Sequence, residues 1–294
     1  MRASCLLLAL FTASAFAADD NRFEQSVAAD PRGAVEISNV SGSVTVTAWD
    51  RSQVTVSAEL DNPTMKVQLT SEHGRTIVSV GHAGMSVSGG DARLTVRVPQ
   101  DGELDATTVS AKLSTSGFRG RQRLKTVSGT VIADVGPGDT EVKTVSGDIR
   151  LRGTGAIGSV RIDSVSGDVS LEHAAGDVEA TTISGELHIE ADPARSVRLR
   201  TTSGDLVFSG TLQRNAILEG ESIKGDIRVR APSEDGFGYE VSSFSGDIKD
   251  CFGQDSERTS GFGPGHRLSG TRGGGSAHIR LKSLSGDVEL CDHK

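Results

Sequence analysis

A short unit, Val-Ser-Gly-Asp-Val and its close variants, recurs along most of this 294-residue chain. Between positions 111 and 246 successive copies are 18 to 21 residues apart, and a final step of 40 residues carries an insertion. Periods of this length are typical of solenoids, in which each repeat adds one rung and contacts only its neighbours. The ten copies are centred on Gly42, Ala111, Gly129, Gly147, Gly167, Gly185, Gly204, Gly225, Gly246 and Gly286.

Apolar residues stand at fixed offsets from the central Gly. Position −5 is aliphatic in most copies, as in Leu124 and Val142, and position +2 is aliphatic in all ten. Apolar residues at every second position indicate strands with one buried face, and Gly permits a tight bend between them. One copy cannot bury its own apolar face, but a stack can. We therefore predict an all-β fold: a single-stranded parallel β-helix (β-solenoid) of about ten rungs with an N-terminal capping or side sheet.

Charged residues occupy position −6, and their sign alternates without a break from Asp105 to Glu219. In parallel strands about 4.8 Å apart, each of these residues would have opposite charges above and below it. The alternative is a chance pattern. If the strands stack in register, a slip of the stack by one whole copy would place like charges next to each other, so the row disfavours that slip. In chain order the row is Glu36, Asp105, Arg123, Glu141, Arg161, Glu179, Arg198, Glu219, Glu240 and Arg280.

Position −3 carries a hydroxyl side chain in nine of the ten copies, from Thr108 to Ser283, with Asn39 in the first. Its parity matches the buried positions, so we expect an internal hydroxyl ladder that satisfies backbone groups at the bend. The alternative, a flat threonine surface of the ice-binding kind, requires these hydroxyls to point outward.

The N-terminus indicates export. Arg2, an apolar run and the sequence Ala15-Phe16-Ala17 form a secretory signal peptide over 1–17. Its apolar run is about half the length that a membrane anchor needs. We expect a flexible lead-in at 18–32, a first rung and capping β region at 33–100, and solenoid repeats at 101–294 with a loop insertion at 251–275. The mature protein is expected in the periplasm or at the cell surface, without a transmembrane segment.

Two cysteines remain after cleavage, and both lie five residues after a repeat Gly. If 251–275 is an excursion, the two copies stack directly, and the Cα atoms of Cys251 and Cys291 fall near 5 Å, within disulfide range. If a full rung intervened, the two residues could not bond. Because the protein is exported, we predict the disulfide over two free thiols.

An acidic residue follows the Gly directly in seven consecutive copies. Stacked carboxylates could bind Ca²⁺ weakly, as a structural cation. Asp after Gly is also ordinary turn chemistry, and Arg150, Arg228 or Lys249 could neutralise the row. We predict no confident metal site and no other cofactor. The row consists of Asp148, Asp168, Glu186, Asp205, Asp226, Asp247 and Asp287.

The repeated V-S-G-D-[VI] unit, GAVEISNVSGSVTVTAWD at 33–50, LTVRVP at 94–99 and GGGSAHIRLKSLSGDVEL at 273–290 resemble an exported bacterial β-strand-repeat family of unknown function, akin to proposed adhesin head domains. The resemblance covers about 33–290. It implies a β-helix-like solenoid in the cell envelope and attaches no catalytic residues.

The sequence carries no catalytic motif that we recognise: a G-x-S-x-G elbow, an H-E-x-x-H helix, a Walker loop and a Rossmann pattern are all missing. Loss of the leader takes the formal charge from −8 to −9, which disfavours a nucleic-acid partner. We predict a non-enzymatic binding, adhesin-like or scaffolding surface for an unknown envelope protein or glycan. The alternative is a carbohydrate-active solenoid enzyme, although Trp49 and Tyr239 are the only Trp and Tyr.

Overall fold

The computed structural model describes residues 21–82, 90–233, 235–254, 256–258 and 265–292. The predicted signal peptide at 1–17 lies outside these residues. Within them, no helix is long and apolar enough to cross a membrane.

The described residues form strands that all belong to one sheet. The first half of the chain contains β1 (Arg22–Ala28), β2 (Ala34–Asn39), β3 (Gly42–Trp49), β4 (Gln53–Leu60), β5 (Met65–Glu72), β6 (Arg75–His82), β7 (Ala92–Pro99), β8 (Glu103–Thr108), β9 (Lys112–Ser116), β10 (Gln122–Thr126), β11 (Val131–Val135), β12 (Asp139–Thr144) and β13 (Ile149–Gly153). The second half contains β14 (Ile157–Ser166), β15 (Val169–Ser184), β16 (Leu187–Ser203), β17 (Leu206–Ser209), β18 (Leu212–Lys224), β19 (Ile227–Arg230), β20 (Gly236–Ser245), β21 (Ile248–Asp250), β22 (Glu257–Arg258), β23 (His266–Gly273), β24 (Ala277–Ser285) and β25 (Val288–Cys291).

Each copy contributes one strand segment before the Gly bend and one after it, and equivalent segments pair in parallel. Before the bend, Leu124 pairs in register with Val142; after it, Val131 pairs with Ile149. All four side chains are fully buried, which places the core between the two ladders of strands. The predicted all-β, mostly parallel solenoid is confirmed.

At the N-terminal end the rungs do not stack in chain order, because the rung formed by β6 and β7 lies outside the first repeat copy. Strands β2 and β3 lie between β6–β7 on one side and β8–β9 on the other, with parallel pairing to both. Strands β5 and β4 then pair antiparallel with β6 and β7, and β1 adds to β4. The flexible lead-in predicted at 18–32 is therefore wrong for β1, because Phe23 and Val27 pack against the core.

At the C-terminal end the last copy is also out of order. Strands β24 and β25 lie between β18–β19 and β20–β21. The copy centred on Gly286 therefore separates the copies centred on Gly225 and Gly246. The outer edge of β20 is covered by β23 in antiparallel pairing. The segment predicted as a loop at 251–275 thus supplies an edge-covering strand, which protects an end that would otherwise offer unpaired backbone groups.

The bend needs Gly for a steric reason beyond chain flexibility. Gly185 has a φ of 131°, in the region that other residues rarely adopt. A Cβ built on Gly185 would lie 2.4 Å from the carbonyl oxygen of Gly167 in the neighbouring rung. Because successive bends stack this closely, the Gly column sets the spacing of the rungs at the corner.

The predicted hydroxyl row at position −3 is buried, with Thr108 and Thr182 each 1% exposed. The hydroxyls of Thr126 and Thr144 accept hydrogen bonds from the backbone N–H groups of Gly129 and Gly147, at 2.9 and 3.0 Å. The internal ladder is confirmed, and the ice-binding alternative fails because the hydroxyls point inward. Four row members have no hydrogen-bond partner among the described residues: Ser164, Thr201, Ser222 and Ser283.

Candidate functional site

A disulfide joins Cys251 and Cys291, whose Cα atoms are 4.9 Å apart. It links the ends of β21 and β25, which pair directly, as Lys249 and Glu289 do in register. Cys251, Glu289 and Cys291 are also close enough to resemble a metal-binding group, but both sulfurs are used by the disulfide. The covalent link ties the outermost rung to its neighbour.

The acidic row forms a ladder of side-chain-to-backbone hydrogen bonds. The Oδ1 atom of Asp168 accepts the backbone N–H of Glu186 at 3.0 Å. In the same way, Asp226 accepts from Asp287 at 3.0 Å, and Asp287 from Asp247 at 2.8 Å. One carboxylate oxygen per rung therefore satisfies the N–H that follows the next bend. This role belongs to folding.

Cations from the same chain neutralise part of the acidic row. Arg150 pairs with Asp148 at 3.2 Å, and Arg228 contacts both Asp205 and Asp226, at 3.2 and 2.8 Å. Lys249 forms no ion pair with the row within the described residues. Weak Ca²⁺ binding by the remaining oxygens stays a prediction.

The charge row at position −6 alternates more extensively in space than along the chain. Because β24 lies between β18 and β20, Arg280 is in register with Glu219 on one side and Glu240 on the other. Earlier in the row, Arg123 contacts Glu141 at 3.1 Å and Asp105 at 3.2 Å. Hydrogen bonds from Lys143 and Arg123 lower the pKa of Glu141 below its ordinary value. These pairs fix the register of the rungs.

A line of exposed apolar side chains runs along the corner, at position −2. We call it the apolar ridge. Its nine apolar members are each between 44% and 57% exposed, and Thr202 completes the line. In spatial order the members are Val40, Val109, Val127, Val145, Val165, Ile183, Thr202, Ile223, Leu284 and Phe244. At about 4.8 Å per rung the ridge is roughly 43 Å long.

The C-terminal half of the apolar ridge lines an open groove of about 780 Å³. Ile223, Leu284 and Phe244 contribute to its apolar surface, and His266 at the start of β23 lies beside them. The charged lining residues are Arg200, Glu221 and Lys282. The groove is therefore mainly an apolar site with a mixed-charge margin.

The arrangement is poorly suited to acid–base catalysis. The large groove has Glu221 as its one carboxylate residue, and Arg200 already pairs with it at 3.3 Å. A smaller pocket of about 410 Å³ contains Glu219, Arg280 and Glu240, but the same acid–base alternation recurs along the whole charge row. Another open pocket, of about 250 Å³, is lined by Asp148, Asp168 and Glu186 together with Arg150. Asp148 pairs with Arg150, and Asp148 and Asp168 each accept a backbone N–H from the next rung, so two of these three carboxylates are already engaged in the fold.

The sequence analysis did not assign the apolar ridge. The first Val of the Val-Ser-Gly-Asp-Val unit lies three residues after the buried position −5, so its parity places it on the outer face. That parity is the signal that could have identified the ridge. Soluble monomers rarely expose large contiguous apolar patches, and such patches usually mark interaction surfaces. Apolar residues at the same outward-facing position of successive rungs therefore indicate a binding surface.

These features define a class: a β-solenoid with register-setting charge rows and an exposed apolar ridge. A family model described as Toastrack DUF4097 matches residues 26–291, and the chain belongs to that family. The resemblance found in the sequence, to a β-repeat family of unknown function akin to adhesin-like proteins, is thereby confirmed. No curated protein matches the chain.

Several solved structures are similar to the chain at low identity. A proposed adhesin from Bacteroides fragilis is 10% identical, with 92% of this chain and 96% of that chain covered and a TM-score of 0.36. A proposed adhesin from Parabacteroides distasonis is 11% identical, covering 92% and 98%, with a TM-score of 0.31. A proposed cell adhesion protein from Clostridium sporogenes is 6% identical, covering 92% and 99%, with a TM-score of 0.23.

Proposed function

We propose that this chain is a non-enzymatic exported protein of the cell envelope, in the periplasm or at the cell surface, whose apolar ridge is a binding or scaffolding surface. Its scaffold is a solenoid of about ten rungs with strands covering both ends. The observation that carries the proposal is the line of half-exposed apolar side chains from Val40 to Phe244, interrupted once by Thr202.

Energetic cost supports this assignment. The nine apolar members are each about half exposed and recur on successive rungs, whereas exposed apolar residues on a monomer are ordinarily scattered singly. A solenoid needs apolar residues at its inward positions only, and polar residues at position −2 would leave the core unchanged. An apolar ridge therefore has a reason outside folding, and covering it with a partner removes apolar surface from water.

The ridge chemistry favours an apolar protein surface over a glycan. Sugar-binding grooves use aromatic side chains for stacking, and Phe244 is the one aromatic member of the ridge. Serines that border the ridge form hydrogen bonds within the solenoid: the hydroxyls of Ser128 and Ser146 donate to backbone carbonyls of the neighbouring rung at 3.3 Å. Charged residues beside the ridge are also engaged locally, as Lys143 is with Glu141 and Asp163, and Arg200 with Glu221.

The proposal is tested by retention of the mature protein on isolated cell envelopes. We expect the variant V127N/V145N/V165N to lose most of its retention, because it makes the centre of the ridge polar. The matched control I132N/I157N/I217N changes three exposed apolar residues away from the ridge and should be retained like the unmodified protein. Equal retention of both variants, or cleavage of acidic polysaccharides by the purified protein, would overturn the proposal.

A further inference from the structure

The spacing of the apolar ridge restricts what can pack along its full length. The ridge presents one side chain per rung, about every 4.8 Å. An extended strand presents side chains on one face about every 6.8 Å, and a helix repeats about every 5.4 Å per turn. A strand would fall out of step with the ridge after one or two contacts, and a helix lying along it after about four. Another stack of parallel rungs has the same period and stays in step over the whole length.

We propose that the ridge is covered by a second copy of this chain, in an antiparallel two-fold dimer. The inference rests on the proposed function, since it takes the ridge as the docking surface and names its occupant. Two copies packed through the same patch form a closed interface, the commonest arrangement of soluble homo-oligomers. Side chains of equal period can then interdigitate along the whole ridge.

The available area suits such a dimer. The ridge and the two positions that border it, −4 and −1, supply three residues from each of ten rungs, close to the roughly 20–30 residues per side of a standard interface. Position −4, which is charged in six of the ten copies and Ser or Thr in the others, and position −1, which is Ser in nine, border the ridge on either side. This gives an apolar centre with a polar rim, the usual anatomy of a protein interface.

The sizes of the ridge residues select the antiparallel orientation. The N-terminal half consists of valines, whereas the C-terminal half contains Ile183, Ile223, Leu284 and Phe244. Antiparallel packing places each larger side chain against a valine of the other copy, which keeps the two axes at constant separation. It also brings the valine half of one copy into the 780 Å³ groove of the other. Parallel packing would place large residues against large ones and splay the dimer.

The charged margin is compatible with this orientation. Lys125 of one copy faces Glu221 of the other, and the two have opposite charges. Each also has an ion-pair partner in its own chain, Asp105 at 3.9 Å and Arg200 at 3.3 Å. Lys143 faces Arg200, but each already has an ion-pair partner in its own chain, Asp163 at 3.3 Å and Glu221 at 3.3 Å. The acidic row follows the Gly bend on the next ladder, so the bend turns it away from the ridge.

Sedimentation equilibrium of the mature protein between 1 and 100 µM tests the inference. The unmodified protein and the off-ridge control I132N/I157N/I217N should both sediment at twice the monomer mass. The ridge variant V127N/V145N/V165N should bind itself at least about 100-fold more weakly, because it disrupts the centre of the interface. Its circular dichroism and thermal transition would show that the monomer is folded. A monomeric unmodified protein, or equal weakening of both variants, overturns the proposed dimer.

Engineered cysteines test the orientation. Val109 and Leu284 are each second from an end of the ridge, so antiparallel packing brings V109C of one copy beside L284C of the other. A mixture of the two variants should form inter-copy disulfides, and V109C alone should not. A V109C–V109C cross-link overturns the antiparallel arrangement. If the purified protein is monomeric but the ridge variant still loses envelope retention, a second copy is excluded as the occupant and the proposed function survives. If the purified protein is monomeric and the ridge variant is retained like the unmodified protein, the dimer and the proposed function are both overturned.

Discussion

Glu219 lies in register with Arg280, although a whole further copy separates them along the chain. Insertion of β24 beside β18 extends the charge alternation to Glu240, where chain order would place two glutamates together. Electrostatic pairing therefore favours the observed order of the C-terminal rungs over simple sequential stacking. Each exposed pair contributes only a few tenths of a kcal/mol, but both neighbours of Arg280 act in the same direction.

Replacing Arg280 with Glu should destabilise the C-terminal rungs. The substitution R280E turns two attractive neighbours into two repulsive ones, so we expect a loss of about 1 kcal/mol in the free energy of unfolding. Urea unfolding at low salt measures it. The loss should shrink in 1 M NaCl, because salt screens exposed charges. A compensating change, R280E/E240R, should recover part of the stability; an unaffected R280E protein would argue against a register role.

Removing a hydroxyl from the ladder should lower the free energy of unfolding only where that hydroxyl has a hydrogen-bond partner. The variant T126V leaves the N–H of Gly129 without its acceptor, so we expect a loss of about 1–2 kcal/mol. Thr201 is equally buried, but its hydroxyl has no partner among the described residues. The matched variant T201V should therefore change stability by less than about 0.5 kcal/mol or increase it. Equal losses from the two variants, measured by urea unfolding, would contradict this division.

The disulfide between Cys251 and Cys291 should stabilise the C-terminal end. In the chain-entropy model a loop of this length contributes about 4 kcal/mol, so C251S/C291S should unfold at lower urea concentration. Thiol labelling of the unreduced mature protein checks the bond itself. No label should enter before reduction, and two freely reacting thiols would rule the bond out.

The acidic row should act through its hydrogen bonds. D226A removes the acceptor for the N–H of Asp287, whereas D226N keeps an oxygen in its place. We therefore expect D226A to cost about 1 kcal/mol and D226N less. A loss in D226N as large as that in D226A would point to the charge instead.

The same variants test the calcium prediction. Cation binding requires that millimolar CaCl₂ raise the unfolding temperature of the unmodified protein, and raise it less for D226N, which has lost a charge. An unchanged unfolding temperature contradicts cation binding by the row.

The repeat chemistry could be predicted from sequence because a strand has a fixed parity. That parity alone places Leu124 in the core and Thr126 inside the bend, as the structure has them. The same reasoning placed Cys251 beside Cys291, since both hold the same offset from a repeat Gly.

The order of the rungs could not be predicted in this way. Copies centred on Gly225, Gly246 and Gly286 carry the same kinds of residue at positions −3, 0, +1 and +2, so the repeat pattern at these positions cannot say which copy lies in the middle. The positive charge of Arg280 indicates that its copy lies between the copies with Glu219 and Glu240, but only if the alternation of charge at position −6 is assumed to continue. Strand β1 was missed because Phe23 and Val27 are too widely spaced to show period-two alternation.

Site-specific photo-cross-linking in intact cells tests whether the apolar ridge is a binding surface. A photoreactive amino acid is placed at Val145 on the ridge, or at Ile132, an exposed apolar position on the other ladder. The ridge predicts a discrete covalent adduct from position 145 and none from position 132, with the adduct at twice the chain mass if the partner is a second copy. Equal cross-linking from both positions, or none from either, would contradict the ridge as the binding surface.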